Sequence, residues 1–278
     1  MGQKKSSNIK KMSVYAILIL LSIIFIYPFL WMLASSFRSL EEIATNGINI
    51  IVKNFNIENY IKALESFPFF LYFRNSTVVS LLSIVGTVLS SSLIGYAFAR
   101  FKVKGANFLF LLVLSTMLLP GEVQLIPRFL MFKNLGMLDT LYPLFITKFF
   151  GNAFYIFLFR QFYTKLPTSL EEAAKLDGCG YFGTWVKIFI PLSKPIMGSV
   201  AILEFMGSWN SFSDALIYIN SDKWKTLPLG LAGFNGTYST NTNLLMAASI
   251  LVILPCIIIF FFAQKTFIKG ISFSSGKD

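Results

Sequence analysis

The sequence predicts an all-α integral membrane protein with six transmembrane helices and both termini on the cytoplasmic side. Three observations carry that prediction. Hydrophobic residues make up 55% of the 278 and charged residues only 13%, against roughly 25% charge in a soluble domain. The apolar residues do not scatter but gather into runs of about 20, long enough to cross a hydrocarbon core about 30 Å thick. The basic residues collect at the ends of alternate runs, as they do on the cytoplasmic side of a membrane.

The runs lie near residues 14–37, 76–99, 107–132, 141–159, 196–219 and 244–263. In lipid every backbone N–H and C=O must find a partner within its own segment, so runs of this length are helices. A β-barrel would show alternating segments of about 10 residues, and none is visible. Lys4, Lys5, Lys10 and Lys11 precede the first run, and Arg100, Lys102 and Lys104 crowd the short second connection. Arg160, Lys165, Lys175, Lys187 and Lys194 fall between runs four and five, and Lys265, Lys269 and Lys277 follow the last. Six crossings put all four groups on one face, while Glu41, Glu42, Glu58 and Glu65 offset the charge opposite. The chain thus divides into a cytoplasmic segment 1–13, a six-helix membrane domain 14–264 and a cytoplasmic tail 265–278.

The net charge of +11 is spread along segment ends rather than collected in one patch, which argues against nucleic acid as a partner. Cys179 and Cys256 form no disulfide framework, and the absence of histidine removes histidine-ligated metal sites; no metal is expected. The first run outlasts the 7–15 apolar residues of a cleaved leader and reads as a retained anchor. Between runs one and two, Tyr60, Ile61 and Leu64 recur at helical spacing, predicting a short helix on the outer surface. Asn75 and Asn235 open N-x-S/T patterns with no meaning outside eukaryotic secretion. The outer loop 221–243 is Gly-rich and reads as irregular.

Run three contains "MLLPGEVQLIPRF". Pro120 lacks the N–H of the helical ladder and predicts a kink or break, followed by Glu122, Gln124, Pro127 and Arg128. Run five carries Glu204, Trp209, Asn210 and Asp214, with the last two four apart and therefore on one helical face. Carboxylates at membrane depth cost about 2.5–3.5 kcal/mol and mark a pathway or an inter-helix pair. Snorkelling of Glu122 and Asp214 to the outer interface, and plain helix packing of Trp209, are the competing readings.

The stretch 160–195 is too long and too polar for a minimal connection. Pro167 and Ser169 read as a helix start, with Glu171 and Glu172 complementing the dipole of the first turn. Ala173 and Ala174 strip bulk from the helix, and Gly178 suits its C-terminal cap because it can take φ > 0. Trp185, Ile188 and Phe189 then form a second apolar-periodic stretch leading to Pro191 and Pro195. Spacing alone describes helix, sharp turn, helix, and fits an ordinary amphipathic connection equally well.

Glu172-Ala173-Ala174, then Asp177-Gly178, then Ile188, Ile190 and Pro191 resemble the EAA loop of ABC importer permeases. Cys179 in place of the frequent Ala, and Ile190 in place of Leu, are modest departures. "NSTVVS", "GYAFARF", "LPGEVQLIP", "LGMLDT", "GSWNSF" and "TFIKG" follow in the order seen in the second permease of carbohydrate importers related to the maltose system. The resemblance implies that Glu171, Glu172, Ala173, Ala174, Asp177, Gly178, Ile188 and Pro191 couple the chain to a cytoplasmic ATPase. It further implies a second homologous permease, two ABC ATPase subunits, an extracellular sugar-binding protein, and a di- or oligosaccharide moved across a bacterial cell membrane. The chain lacks G-x-x-x-x-G-K-[ST], so it is not itself an enzyme: it binds no cofactor, and partner subunits use the ATP and Mg. Trp209, Asn210 and Asp214, then Glu122 and Gln124, are the expected pathway residues, and the tail is expected to touch the ATPases. Two alternatives are an ABC permease for glycerol-phosphate or another small polar solute, and an ion-coupled carrier using Glu122, Glu204 and Asp214.

Overall fold

A computed structural model describes residues 2–234 and 241–274, with side chains for 11–45, 47–234 and 241–264. Asn235, residues 235–240 of the Gly-rich loop and Lys277 lie outside the described residues, as do the side chains of Lys4, Lys5, Lys10, Lys265 and Lys269. All regular structure within those bounds is helical.

Among the described residues four stretches are long and apolar enough to cross a bilayer alone: Lys11–Ser36, Phe69–Arg100, Tyr142–Thr164 and Thr242–Gln264. Two bent pairs, Ala106–Leu118 with Gly121–Asn134 and Tyr181–Leu192 with Lys194–Trp209, raise the number to six if each pair is one span. The helices in chain order are α1 (Gly2–Ser36), α2 (Leu40–Asn46), α3 (Glu58–Glu65), α4 (Phe69–Arg100), α5 (Ala106–Ser115), α6 (Gly121–Asn134), α7 (Tyr142–Phe145) and α8 (Ala153–Thr164). They continue as α9 (Ser169–Leu176), α10 (Tyr181–Thr184), α11 (Ile190–Leu192), α12 (Lys194–Trp209), α13 (Ser213–Tyr218), α14 (Leu227–Leu231) and α15 (Thr242–Ser274).

The breaks are where sequence and structure are best compared. Run three bends by 99° at Leu119–Pro120, because Pro120 cannot donate to the preceding turn; α6 restarts at once with Glu122 in its first turn. Run four is not the single helix expected. A 3₁₀ turn, Ile146–Phe150, gives way to Gly151 at φ +88° before α8 begins. Asn152 caps α8 by accepting from Phe154 N and Tyr155 N at 3.0 and 3.4 Å. The backbone freed by this break is satisfied by serines of α4: Ser90 Oγ donates to Lys148 O at 2.9 Å and Ser91 Oγ accepts from Asn152 N at 3.2 Å. Irregular backbone at membrane depth survives only when so partnered. The Gly-rich loop 221–243 is less irregular than expected, containing a 3₁₀ turn at Asp222–Trp224 and α14.

By internal contacts the chain forms two units, Met1–Phe69 with Leu231–Leu254, and Phe70–Gly230 with Pro255–Asp278. In the first, the helix expected near Tyr60 is α3. Its buried side carries Asn59 and Ala63, and Ile61 faces outward. Hydrogen bonding overrides hydrophobicity here: Asn59 Nδ2 donates to Ser36 O and Arg38 O at 2.9 and 2.7 Å, and its Oδ1 accepts from Asn243 at 3.0 Å.

Two apolar clusters stand out among the described residues of the second unit. One gathers Val88, Tyr96, Phe159, Tyr163, Trp185, Phe189, Ile196 and Val200 from α4, α8, the 185–189 turn and α12. The other gathers Val79, Phe132, Leu144, Ala215, Tyr218, Ile219 and Leu229. Because lipid is as apolar as leucine, close packing rather than water exclusion holds membrane helices together, and small residues let their backbones meet. Gly95 is such a point: a Cβ there would lie 2.6 Å from Phe159 Cβ and 3.1 Å from both Arg160 N and Ile156 O.

Candidate functional site

The loop between α8 and α12 folds as helix, cap, turn, helix. In α9, Glu171 and Glu172 occupy the first turn. Its end is a complete left-handed cap: Gly178 takes φ +76°, Cys179 N donates to Ala174 O at 2.8 Å and Gly178 N to Lys175 O at 3.0 Å. Only glycine adopts that conformation without a Cβ penalty. The two alanines point opposite ways, since Ala174 is 2% exposed and Ala173 open to solvent. Glu172, Ala173, Asp177 and Gly178 are exposed, and Leu176 presents a bare isobutyl group at 90% exposure.

After α10 the backbone widens into a π turn, Trp185–Phe189, closed by Ile190 N donating to Trp185 O. The cause is Pro191, which has no N–H for Lys187 O and would clash with it. Such bulges concentrate at functional positions. The chain then turns by 80° between Leu192 and Lys194 into α12. Trp185 and Phe189 are buried, Ile188 packs against the same cluster, and Pro191 is exposed.

A buried polar chain ties this turn to the membrane helices. Trp185 Nε1 donates to Ser92 Oγ at 3.1 Å, Ser92 Oγ and Tyr163 OH bond at 2.7 Å, and Tyr163 OH donates to Ser193 Oγ at 3.2 Å. Ser193 Oγ donates in turn to Ile190 O at 3.0 Å. With one proton per hydroxyl the chain runs in a single direction and leaves every member satisfied.

From the sequence Arg100 reads only as a topology marker. In the structure it is 6% exposed at the end of α4, and its Nε faces Glu171 Oε1 at 3.1 Å. The pair is aligned as an ionic contact rather than as a directed hydrogen bond. Arg100 Nη2 donates to Tyr163 O and Leu166 O at 2.6 and 2.7 Å, and the guanidinium stands 5.1 Å over the Phe189 ring. The signal that could have found it is the "ARF" at the end of a long apolar run, where an Arg that cannot snorkel needs carbonyl and carboxylate partners.

The expected pathway residues separate. Helix α12 ends at Trp209, with Asn210 as its cap donating through Nδ2 to Met206 O at 2.8 Å, and α13 restarts at Ser213. Asn210 and Asp214 therefore do not share one continuous helical face, which corrects the i, i+4 expectation; the cause is the side-chain cap closing α12. Trp209 is packed as a core residue, 2% exposed, stacked on Phe205 at 5.3 Å with Phe73 edge-on at 5.7 Å. Asp214 lines a cavity of about 130 Å³ together with Lys148, Ser208, Ser211, Thr226 and Leu144. Lys148 Nζ pairs with Glu204 Oε1 at 2.9 Å, and Glu204 is 3% exposed. Glu122, exposed, and Gln124, half-buried, lie on α6 outside this cavity.

The "LGMLDT" motif is a fastening. Met137 N donates to Phe132 O, Gly136 takes φ +66° and Asp139 φ +56°. Asp139 Oδ1 accepts from Ser221 N, Asn220 N and Ser221 Oγ at 2.8, 3.0 and 3.0 Å. These donors, Ser221 N foremost, hold its carboxyl below the usual range.

Residues 91–273 match the family described as "Binding-protein-dependent transport system inner membrane component". The chain is 36% identical over 256 residues to the arabinooligosaccharides transport system permease protein AraQ of Bacillus subtilis (strain 168), covering 91% of each. It is 35% identical over 255 residues, again 91% of each, to the protein of the same name from Halalkalibacterium halodurans. Its fold matches a chain in the crystal structure of a bacterial ABC transporter involved in the import of the acidic polysaccharide alginate, with TM-score 0.82, 23% identity, and 94% and 98% of the two chains covered. The broken apolar helices, the capped loop at α9 and these matches lead to one conclusion: the chain belongs to the family of binding-protein-dependent transport system inner membrane components.

Proposed function

We propose that the chain is one of two permease subunits of an ATP-driven importer of neutral di- or oligosaccharides, and that α9 is the helix gripped by a separate ATPase. On this reading residues 14–264 make six crossings, counting each bent pair as one, with 1–13, the loop 160–195 and the tail 265–278 in the cytoplasm. A second permease completes the pathway, two ABC ATPases using ATP and Mg sit beneath, and an extracellular binding protein delivers the sugar.

The observation that carries the proposal is the shape of α9. Its outer surface offers Glu172, Ala173, Leu176 and Asp177, with Leu176 a large apolar group left open, while Glu171 and Ala174 face inward. Gly178 fixes the turn, and Ile188 and Pro191 shape the bend that returns the chain to the membrane. A short helix fixed by its cap, with one apolar group set among carboxylates, offers a partner cleft an apolar centre within a polar rim. ATP-driven closure of the ATPases would shift the permease between outward- and inward-facing states, and the sugar acts only through its different affinity for the two.

For the pathway we propose Asp214, with Lys148, Ser208 and Ser211 beside it in the cavity lining, together with Asn210 and Trp209, and with Glu122 and Gln124 secondary. Carboxylate, amide and hydroxyl groups suit the hydroxyls of a sugar. The Lys148 charge is taken up by Glu204, leaving no free cation in the cavity lining for a phosphate-bearing solute, which weighs against glycerol-phosphate. The same pairing occupies Glu204, one of three carboxylates an ion-coupled carrier would need. The test is reconstitution with the cognate ATPases, second permease and binding protein. Sugar-loaded binding protein should stimulate ATP hydrolysis and uptake together, and uptake that survives removal of the ATPases would overturn the proposal.

A further inference from the structure

We infer that Arg100 is the positioning residue through which movement of α9 enters the membrane helices, so that without it ATP is consumed with little solute moved. The inference rests on the reading of α9 as the ATPase-facing helix.

A push on a helix is transmitted by whatever is packed behind it, because close-packed interiors yield little and pass strain on. Behind α9 the packing is uneven, with Ala174 buried and Lys175 next to it exposed. A cavity of about 150 Å³, lined by Tyr96, Glu171, Lys175, Tyr181 and Thr184 among others, lies on its inner side. Across this opening to solvent the lining atoms have no packed partners through which a push could pass. What crosses the gap is Glu171 to Arg100 at 3.1 Å. Lys175, 5.5 Å over the Tyr181 ring, supplies a second link, but both partners are exposed, where such contacts are weak.

From Arg100 the connection divides. Its carbonyl acceptors Tyr163 O and Leu166 O close the C-terminal end of α8, its own backbone ends α4, and Phe189 beneath it belongs to the π turn that leads to α12. One planar guanidinium thus fixes α9 against three elements. A planar fork can hold several acceptors in register where an ammonium cannot. Tyr163 extends the joint inward through Ser92 and Ser193.

The test uses the reconstituted complex with Glu171→Gln, Arg100→Lys and Arg100→Ala, and reads sugar molecules moved per ATP hydrolysed. Glu171→Gln keeps size and fold and removes only the charge. The expected result is a fall of at least fivefold in that ratio for Glu171→Gln, an intermediate fall for Arg100→Lys and the largest for Arg100→Ala, with ATP hydrolysis declining far less than uptake. If uptake and hydrolysis fall together in proportion to assembled complex, Arg100 is only a structural brace and the inference is wrong. An unchanged ratio in Glu171→Gln also overturns it. A wild-type complex with no ATP-driven uptake would instead defeat the reading of α9 itself, before any variant is compared.

Discussion

Gly178 offers the cleanest perturbation of the loop, because the structure separates what its two obvious replacements would do. A Cβ at this position meets no heavy atom within 4 Å, so Gly178→Ala bears only the backbone penalty of φ +76°, about 1 kcal/mol. Gly178→Pro cannot take a positive φ at all. It also removes the N–H that donates to Lys175 O at 3.0 Å, and the displaced cap gives up the Cys179 N to Ala174 O bond at 2.8 Å. Two hydrogen bonds at about 1 kcal/mol each, added to the conformational misfit, bring the cost to about 3 kcal/mol or more. At 1.4 kcal/mol per tenfold, the properly capped loop becomes about 100-fold rarer. Uptake of labelled sugar, normalised to the amount of chain in the membrane, is the assay. By the same conversion Gly178→Ala should lose no more than about fivefold of the uptake rate and Gly178→Pro about 100-fold. Normal uptake by the proline variant would show that the cap does not position a working surface, and equal losses in both would show that the fault lies elsewhere than in φ.

Gly95→Ala inserts a methyl group 2.6 Å from Phe159 Cβ and should destabilise the detergent-solubilised protein by about 1–3 kcal/mol, read as a lowered thermal transition; an unchanged Tm would mean that α4 and α8 part without cost. Asp139 gives a pH signature. Its carboxyl is held below the ordinary value of about 4 by Ser221 N above all. The stabilisation it lends is therefore present above that value and lost as pH falls through the lower folded one. Trp224 emission should shift on acidification in the wild type, and Asp139→Asn, which keeps an acceptor and cannot titrate, should abolish that part of the change.

Much of this fold was legible because lipid leaves the chain few choices. The apolar runs, the break at Pro120 and the capped helix ending at Gly178 follow from residue types whose backbone limits are absolute or nearly so. The breaks at Gly151 and Asn210 were missed for a shared reason. Each is stabilised by a partner that periodicity does not see, a serine pair on α4 for the first and a self-capping amide for the second. Trp209 stays ambiguous in the sequence because an intramembrane indole serves packing and binding equally well until its neighbours are known, and in the structure Phe205 and Phe73 pack against its ring. Arg100 was hidden by its own charge: a basic residue at the end of an apolar run reads as a topology signal, and only three dimensions bring Glu171, 71 residues later in the numbering, to its side.

The central claim is that α9 is held by a separate ATPase. In a Cys179→Ser background, Leu176→Cys places a thiol on the most open point of the helix, and oxidative cross-linking in membranes containing the co-expressed ATPase reads the contact directly. The account predicts a disulfide-linked species of this chain and an ATPase bearing a cysteine in its docking cleft, formed at 176 and absent at a control thiol on α3. Labelling of the 176 thiol by a membrane-impermeant reagent added outside intact cells would contradict it.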